Sequence, residues 1–121
     1  MLEGFAQLKS KALNEKLTFE DVMKNVLGLT DNEVKVYKAL RSRWMTASEL
    51  CEVLGVKRPA LQYMINKLYN LGLLVREVRI PPRGGFMYAY RAVEIEKVRR
   101  MLRDILTAIY YKALEALKES P

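Results

Sequence analysis

Thr46-Ala-Ser-Glu-Leu-Cys-Glu-Val-Leu-Gly-Val-Lys-Arg-Pro-Ala-Leu-Gln-Tyr-Met-Ile-Asn-Lys-Leu-Tyr-Asn-Leu71 is the stretch whose reading decides the fold. Thr46 and Glu49 are spaced as a capping box, so a helix is expected to start there. Leu50, Val53 and Leu54 give it an apolar face, and Gly55 ends it because glycine accepts the positive φ of a tight turn. Pro59 suits the first turn of a second helix, where a missing N–H costs nothing. Leu61, Met64, Ile65, Leu68 and Leu71 then form one stripe at helical spacing. Two helices around a glycine turn, the second the longer, read as a helix-turn-helix. The other face of the second helix carries Lys57, Arg58, Gln62, Tyr63, Asn66, Lys67 and Asn70. Basic, amide and aromatic groups of this kind suit phosphates and base edges in a major groove, so 57–71 is read as a recognition helix.

Gly72 closes that helix, and Leu73-Leu-Val-Arg-Glu-Val-Arg-Ile80 switches to β-branched, strand-like composition. Pro81-Pro-Arg-Gly-Gly85 is a turn, and Phe86-Met-Tyr-Ala-Tyr-Arg91 is a return strand. A helix-turn-helix followed by a hairpin is a winged helix. Arg79 and Arg83 flank or occupy a turn that Gly84 and Gly85 keep slim, which suits approach to a minor groove or the backbone over 79–86. The plainer reading of that turn is a solvated loop whose arginines add only solubility.

At 121 residues the chain is read as one domain, long enough to bury a core. No long uncharged apolar run suggests a membrane span or a signal peptide, so a cytoplasmic protein is expected. One cysteine excludes an internal disulfide framework, and the lack of histidine removes the common zinc patterns. Without histidine, a paired-carboxylate pocket or a glycine-rich phosphate loop, no enzyme, metal or cofactor is expected. Lys and Arg number 21 against 14 Asp and Glu, a net charge of +7. Between Lys57 and Arg91 stand seven cations opposed only by Glu77, so nearly all the excess lies on the recognition helix and wing. That concentration favours a nucleic-acid partner.

Outside this core, Leu2, Phe5, Leu8, Ala12 and Leu13 recur at roughly helical spacing in an N-terminal helical segment, 1–28. Thr18 with Asp21, and Thr30 with Glu33, repeat the capping signature. Val34, Tyr37, Ala39 and Leu40 are the apolar face of the helix after Thr30, and Trp44 reads as a packing anchor. Cys51 reads as a small buried hydrophobe rather than a redox switch. The winged helix is assigned to 29–92 and a long helix to 93–121, with helical residues over Glu94–Ser120. Ile95, Val98, Leu102, Ile105, Ile109, Ala113 and Leu117 recur along it at three- and four-residue steps, too long an apolar stripe for the small domain to cover. The expectation is a homodimer paired through this helix. The heptad is imperfect, with Lys112 on a core position, which leaves antiparallel pairing, parallel pairing and packing against Met1–Lys16 open.

The runs Leu27-Gly-Leu-Thr30 with Glu33 and Tyr37-Lys-Ala-Leu40, Thr46-Ala-Ser-Glu-Leu50, Gly55-Val56 and Leu68-Tyr-Asn-Leu-Gly-Leu-Leu74 resemble archaeal winged-helix regulators. The group includes the TrmB-type proteins and the short Lrs-like regulators, with MarR-type repressors more distant. The resemblance covers Leu27 to Arg91. It implies a mainly α fold with a small β-hairpin, a winged helix-turn-helix with a long C-terminal dimerisation helix. As in helix-turn-helix proteins generally, a small residue, Cys51, stands four before the turn glycine and a bulky one, Leu61, six after it. Lys57 replaces the Ser or Thr that many relatives place at the recognition-helix start. TrmB-type proteins also carry a large C-terminal ligand domain; a chain ending at Pro121 is not expected to include it, so sugar sensing does not carry over and any effector is unknown.

The expected function is sequence-directed double-stranded DNA binding by a homodimeric transcriptional regulator. Arg58 and Gln62 are assigned to base edges, Lys57, Lys67 and Arg76 to phosphates, and Arg79 and Arg83 to the wing contact, with Tyr63 and Asn66 also on the DNA face. An architectural DNA-binding protein and a winged-helix adaptor for an acidic protein are the alternatives.

Overall fold

Three Thr residues start three helices by the same device. In the computed structural model, which describes residues 2–14 and 16–121 and the side chains of 6–13 and 16–121, Thr18, Thr30 and Thr46 each cap a helix reciprocally with Asp21, Glu33 and Glu49. The helices are α1 (Leu2–Asn14), α2 (Phe19–Leu27), α3 (Asp31–Ala39), α4 (Ala47–Leu54), α5 (Arg58–Asn70) and α6 (Ile95–Ala116). The strands are β1 (Met45–Thr46), β2 (Leu74–Arg79) and β3 (Met87–Ala92). The apolar positions expected at Leu2 and Phe5 lie outside the described side chains. The fold is a winged helix-turn-helix with a small three-stranded antiparallel sheet in the order β1-β3-β2 and a long C-terminal helix.

The chain divides into two compact units. One, residues 30–94, holds α3, α4, α5 and the sheet. Its core is Val34, Val36, Tyr37, Leu40, Met45, Leu50, Leu61, Ile65, Leu68, Leu73 and Ala89, all nearly sealed from solvent. Gly55 turns α4 into α5 at φ 65°, its N–H bonding the Cys51 carbonyl at 2.9 Å. That is the αL stop that only glycine adopts freely. The hairpin register pairs Leu74 with Ala92, Arg76 with Tyr90 and Arg79 with Met87.

Several expectations shift here. On α4 the buried positions are Ala47 and Leu50, with Leu54 half-buried, while Val53 is exposed, so the expected face is rotated toward the helix start. Val36, not counted in the α3 face, is fully buried, and Cys51 is half-buried rather than enclosed. β1 was not anticipated: Met45 and Thr46 pair with Tyr90 and Ala89, placing the α4 cap at the sheet edge. The hydroxyl that caps α4 is thus held by strand pairing as well.

The other unit combines the N-terminal segment, through Leu29, with residues 95–121. Here α1 and α6 both pack against α2, and Met23, Val98 and Leu102 are buried. The 22 residues of α6 extend about 33 Å at 1.5 Å per residue. The helix stops at Ala116, short of the expected Ser120, because the N–H groups of Lys118 and Glu119 bond three residues back to Glu115 and Ala116. Leu117 therefore stands in the tightened final turn. Two of the stripe residues, Val98 and Leu102, are taken up inside the chain.

At the start of α2, the Thr18 backbone N–H donates to Asp21 Oδ2 at 3.0 Å, and Lys11 Nζ stands 3.1 Å from Oδ1. These donors, Thr18 first, hold the Asp21 carboxyl down at about 2. A carboxylate held below its unfolded value stabilises the fold above the unfolded pKa and loses that contribution as pH falls through the folded one. The difference in melting temperature between the wild type and Asp21→Asn should hold steady above about pH 4, shrink toward pH 2 and vanish below it. Thermal melts across that range check this.

Candidate nucleic-acid interface

With Leu61, Met64, Ile65 and Leu68 buried, the rest of α5 faces outward. Lys57 is the N-cap, with extended backbone and no side-chain cap bond, so the first N–H groups of α5 lack that partner. Arg58 is exposed, and its Nη1 donates to Ser48 Oγ at 3.1 Å, tying the start of α5 to the start of α4. One turn on, Gln62 Nε2 donates to Asn66 Oδ1 at 3.0 Å, an exposed i,i+4 amide pair. Tyr63 is well exposed beside them.

Lys67 stands differently. Its Nζ lies 2.8 Å from Oε1 of Glu33, and that carboxylate is buried at 2% exposure. The same Oε1 accepts from the Thr30 backbone N–H at 2.8 Å. One buried acid therefore caps α3 and grips α5. Lys67 keeps part of its side chain in solvent, but its charge is already opposed inside the protein.

Arg76, from β2, is clamped. Its guanidinium carbon sits 4.2 Å from the ring centroids of both Tyr69 on α5 and Tyr88 on β3. Cation–π contact on two faces holds the group in place while leaving its edge donors available. Tyr90 is almost wholly buried, while Tyr88 is half-buried. Arg79 makes a long 3.4 Å contact to Glu77, both ends exposed, and Arg83 stands exposed in the turn.

These elements enclose a cleft of about 500 Å³ lined by Ser48, Arg58, Gln62, Asn66, Arg76 and Tyr88, among others. Arg58, Gln62, Asn66 and Arg76, expected at the interface, thus converge on one surface; Lys57, Tyr63, Arg79 and Arg83 are exposed without lining it. Ser48, Phe86 and Met87 line the cleft as well and were not singled out from the sequence. Ser48 looked like an ordinary first-turn serine, and nothing local links it to Arg58 ten residues on. Among the described residues no cluster of three His, Cys, Asp or Glu could hold a metal, and no helix is long and apolar enough to cross a membrane.

Residues 23–96 match the family model of the sugar-specific transcriptional regulator TrmB. The chain belongs to the TrmB family. This is a family of DNA-binding transcriptional regulators rather than of enzymes, and its match spans the helix-turn-helix and wing just described. A TrmB-family chain of this size has similar relatives in archaea. It is 30% identical over 97 residues to the uncharacterized protein MJ1082 of Methanocaldococcus jannaschii, covering 79% of this chain and 80% of that protein. A possible transcriptional regulator from Methanosarcina mazei superposes with a TM-score of 0.76 at 25% identity, over 84% of this chain and 88% of the other. The ST1889 protein of Sulfolobus tokodaii shares the fold at a TM-score of 0.63 and 22% identity, over 88% and 98% of the two chains. The more distant MarR-type relationship suggested by the sequence is not borne out by these comparisons.

The buried Glu33 gives Lys67 a measurable role without DNA. Lys67→Ala leaves a buried carboxylate short of its charged donor, and should lower stability by about 1–3 kcal/mol in denaturant melts. Lys57→Ala, on an exposed and uncapped helix start, should change it by less than about 0.5 kcal/mol.

Proposed function

We propose that this TrmB-family protein is a cytoplasmic, homodimeric transcriptional regulator that reads double-stranded DNA, with the recognition helix 57–71 in the major groove and the wing 79–86 at the minor groove or backbone. The observation that carries the reading is the convergence of Arg58, Gln62, Asn66 and Arg76 on one cleft between α5 and the hairpin. Arg58 and Gln62, with Asn66 and Tyr63 beside them, meet base edges; an arginine fork suits guanine and an amide suits adenine. Lys57, at a helix start rich in free N–H groups, meets phosphate. Arg76 meets phosphate from a fixed position, and Arg79 and Arg83 make the wing contact. Lys67 contributes to the phosphate contact only through the exposed part of its side chain, its main engagement being Glu33.

If six to eight phosphates are neutralised per dimer, the logarithm of affinity falls against the logarithm of salt with a slope of about −5 to −7. Arg58→Ala should cost about 1–3 kcal/mol of discrimination between a selected duplex and a random one, while Lys57→Ala weakens both alike and lowers the slope by about two, one for each protomer. Binding titrations across salt on duplexes selected from a random pool test both. A flat response, or equal losses on both duplexes for both variants, defeats the assignment.

Dimerisation is proposed through the outer half of α6. Val98 and Leu102 are occupied inside the chain, which leaves Ile105 half-buried and Ile109, Ala113 and Leu117 exposed, widened by Leu106, Tyr110 and Leu114. A contiguous apolar strip of this kind is what a second copy covers. Two recognition helices about a twofold axis then meet successive major grooves about 34–36 Å apart. Ile109→Glu with Leu114→Glu should yield a monomer in sedimentation velocity with helix content unchanged, since neither side chain is in the core. A doubly substituted chain that still sediments as a dimer removes this role.

A further inference from the structure

The outer half of the hairpin carries a feature that phosphate binding does not use. Val78, Ile80 and Phe86 are exposed at 57%, 75% and 65%, and Met87 at 42%. β1 reaches only Tyr90 and Ala89 of β3, so the hairpin beyond them is a two-stranded ribbon past the sheet edge. Apolar side chains clustered at the tip of a basic hairpin are costly in water unless something covers them.

The tip is also pre-shaped. Phe86 packs edge-on against Tyr88 with centroids 5.6 Å apart, and Tyr88 is in turn tilted against Tyr90 at 6.3 Å. That row of rings begins in the core at Tyr90 and ends in solvent at Phe86. Tyr88 also lies under the Arg76 guanidinium, so Phe86 is braced by a side chain that is itself clamped. In the turn, Gly84 and Gly85 adopt φ of 88° and 72°, and the Gly84 N–H bonds the Pro81 carbonyl at 3.0 Å. Two glycines without Cβ atoms, following two prolines, make a narrow and stiff tip. Arg79 lies between Val78 and Ile80 in sequence and Arg83 stands three residues before Phe86, and Phe86 and Met87 line the same cleft as Arg58 and Gln62.

We propose that Phe86, supported by Ile80, is an apolar wedge that enters the minor groove and partly unstacks a base step, bending the duplex toward its major groove at that step. The inference rests on the DNA-binding reading above and adds a deformation to it. Duplex DNA is the occupant these observations favour, because the apolar tip is continuous with the cleft and is flanked by cations, matching stacked bases lined by phosphates. An inserted apolar side chain exchanges stacking energy for a kink, typically about 20–90°, and does so most cheaply at flexible TA or CA steps. The protein then discriminates between sequences by how readily they bend.

The test uses the full chain and a doubly dye-labelled duplex of about 30 base pairs with TA steps placed symmetrically on either side of its centre, read by energy transfer between its ends. The wild type should shorten the end-to-end distance on binding. Phe86→Ala should abolish the shortening and weaken binding about a hundredfold, the loss expected for two stacking contacts per dimer at about tenfold each, with the salt slope unchanged. Phe86→Leu, which keeps an apolar wedge, should restore bending, whereas Arg83→Ala should lower the salt slope and leave the bend. Melting curves of each variant show whether the fold is intact; Phe86 is exposed, so they should coincide with the wild type. A wild-type complex with the expected salt slope but no bend overturns the wedge and leaves the DNA-binding reading standing. Absence of any salt-dependent binding to duplex overturns both. Binding to anionic phosphatidylglycerol vesicles that Phe86→Ala abolishes, with DNA affinity and bend untouched, assigns the tip to a membrane surface and overturns the wedge.

Discussion

Burial of one face of α5 is the constraint from which the rest of the winged-helix unit follows. Leu61, Met64, Ile65 and Leu68 are sealed into the core, and a helix held that firmly along one side has no freedom to rotate about its axis. The side chains left outside are therefore chosen by the apolar stripe rather than by their own preferences. Glu33 adds a second restraint. Its carboxylate serves the α3 cap and receives Lys67, so a charge buried in the core is compensated by a side chain of α5.

The basic character of the surface around α5 and the hairpin is smaller and better ordered than residue counts imply. Lys67 is opposed by Glu33, and Arg79 is loosely opposed by Glu77. Arg76 is held between Tyr69 and Tyr88, and Arg58 by Ser48. Cations positioned in advance surrender less side-chain entropy when a phosphate or base edge arrives. The same aromatic row that orients Arg76 carries on to Phe86, which links the polar cleft to the apolar wing tip by packing alone.

The second unit shows how one helix serves two ends. The first turns of α6 supply Val98 and Leu102 to a core with Met23, while its later residues carry exposed Leu106, Ile109, Tyr110 and Leu114. A truncation that removed the whole helix would take core residues with it, so the two roles are separable only by substitution.

Local signals were legible before any coordinates. Three Thr residues three positions before an acid, a glycine after α4 and a stripe of Leu, Met and Ile along α5 each act within one helical turn, and each stands where periodicity placed it. The hairpin was legible for the same reason, from β-branched residues around a Pro-Pro-Arg-Gly-Gly turn. What only tertiary structure decided are meetings between distant residues. Glu33 and Lys67 are 34 positions apart, Arg76 lies between rings from two elements, and β1 is too short to have a period. Val98 and Leu102 are indistinguishable from the rest of their stripe until α2 is seen against them. A sequence records each residue's neighbours along the chain, whereas pairing, stacking and burial depend on which surfaces the folded chain brings into contact.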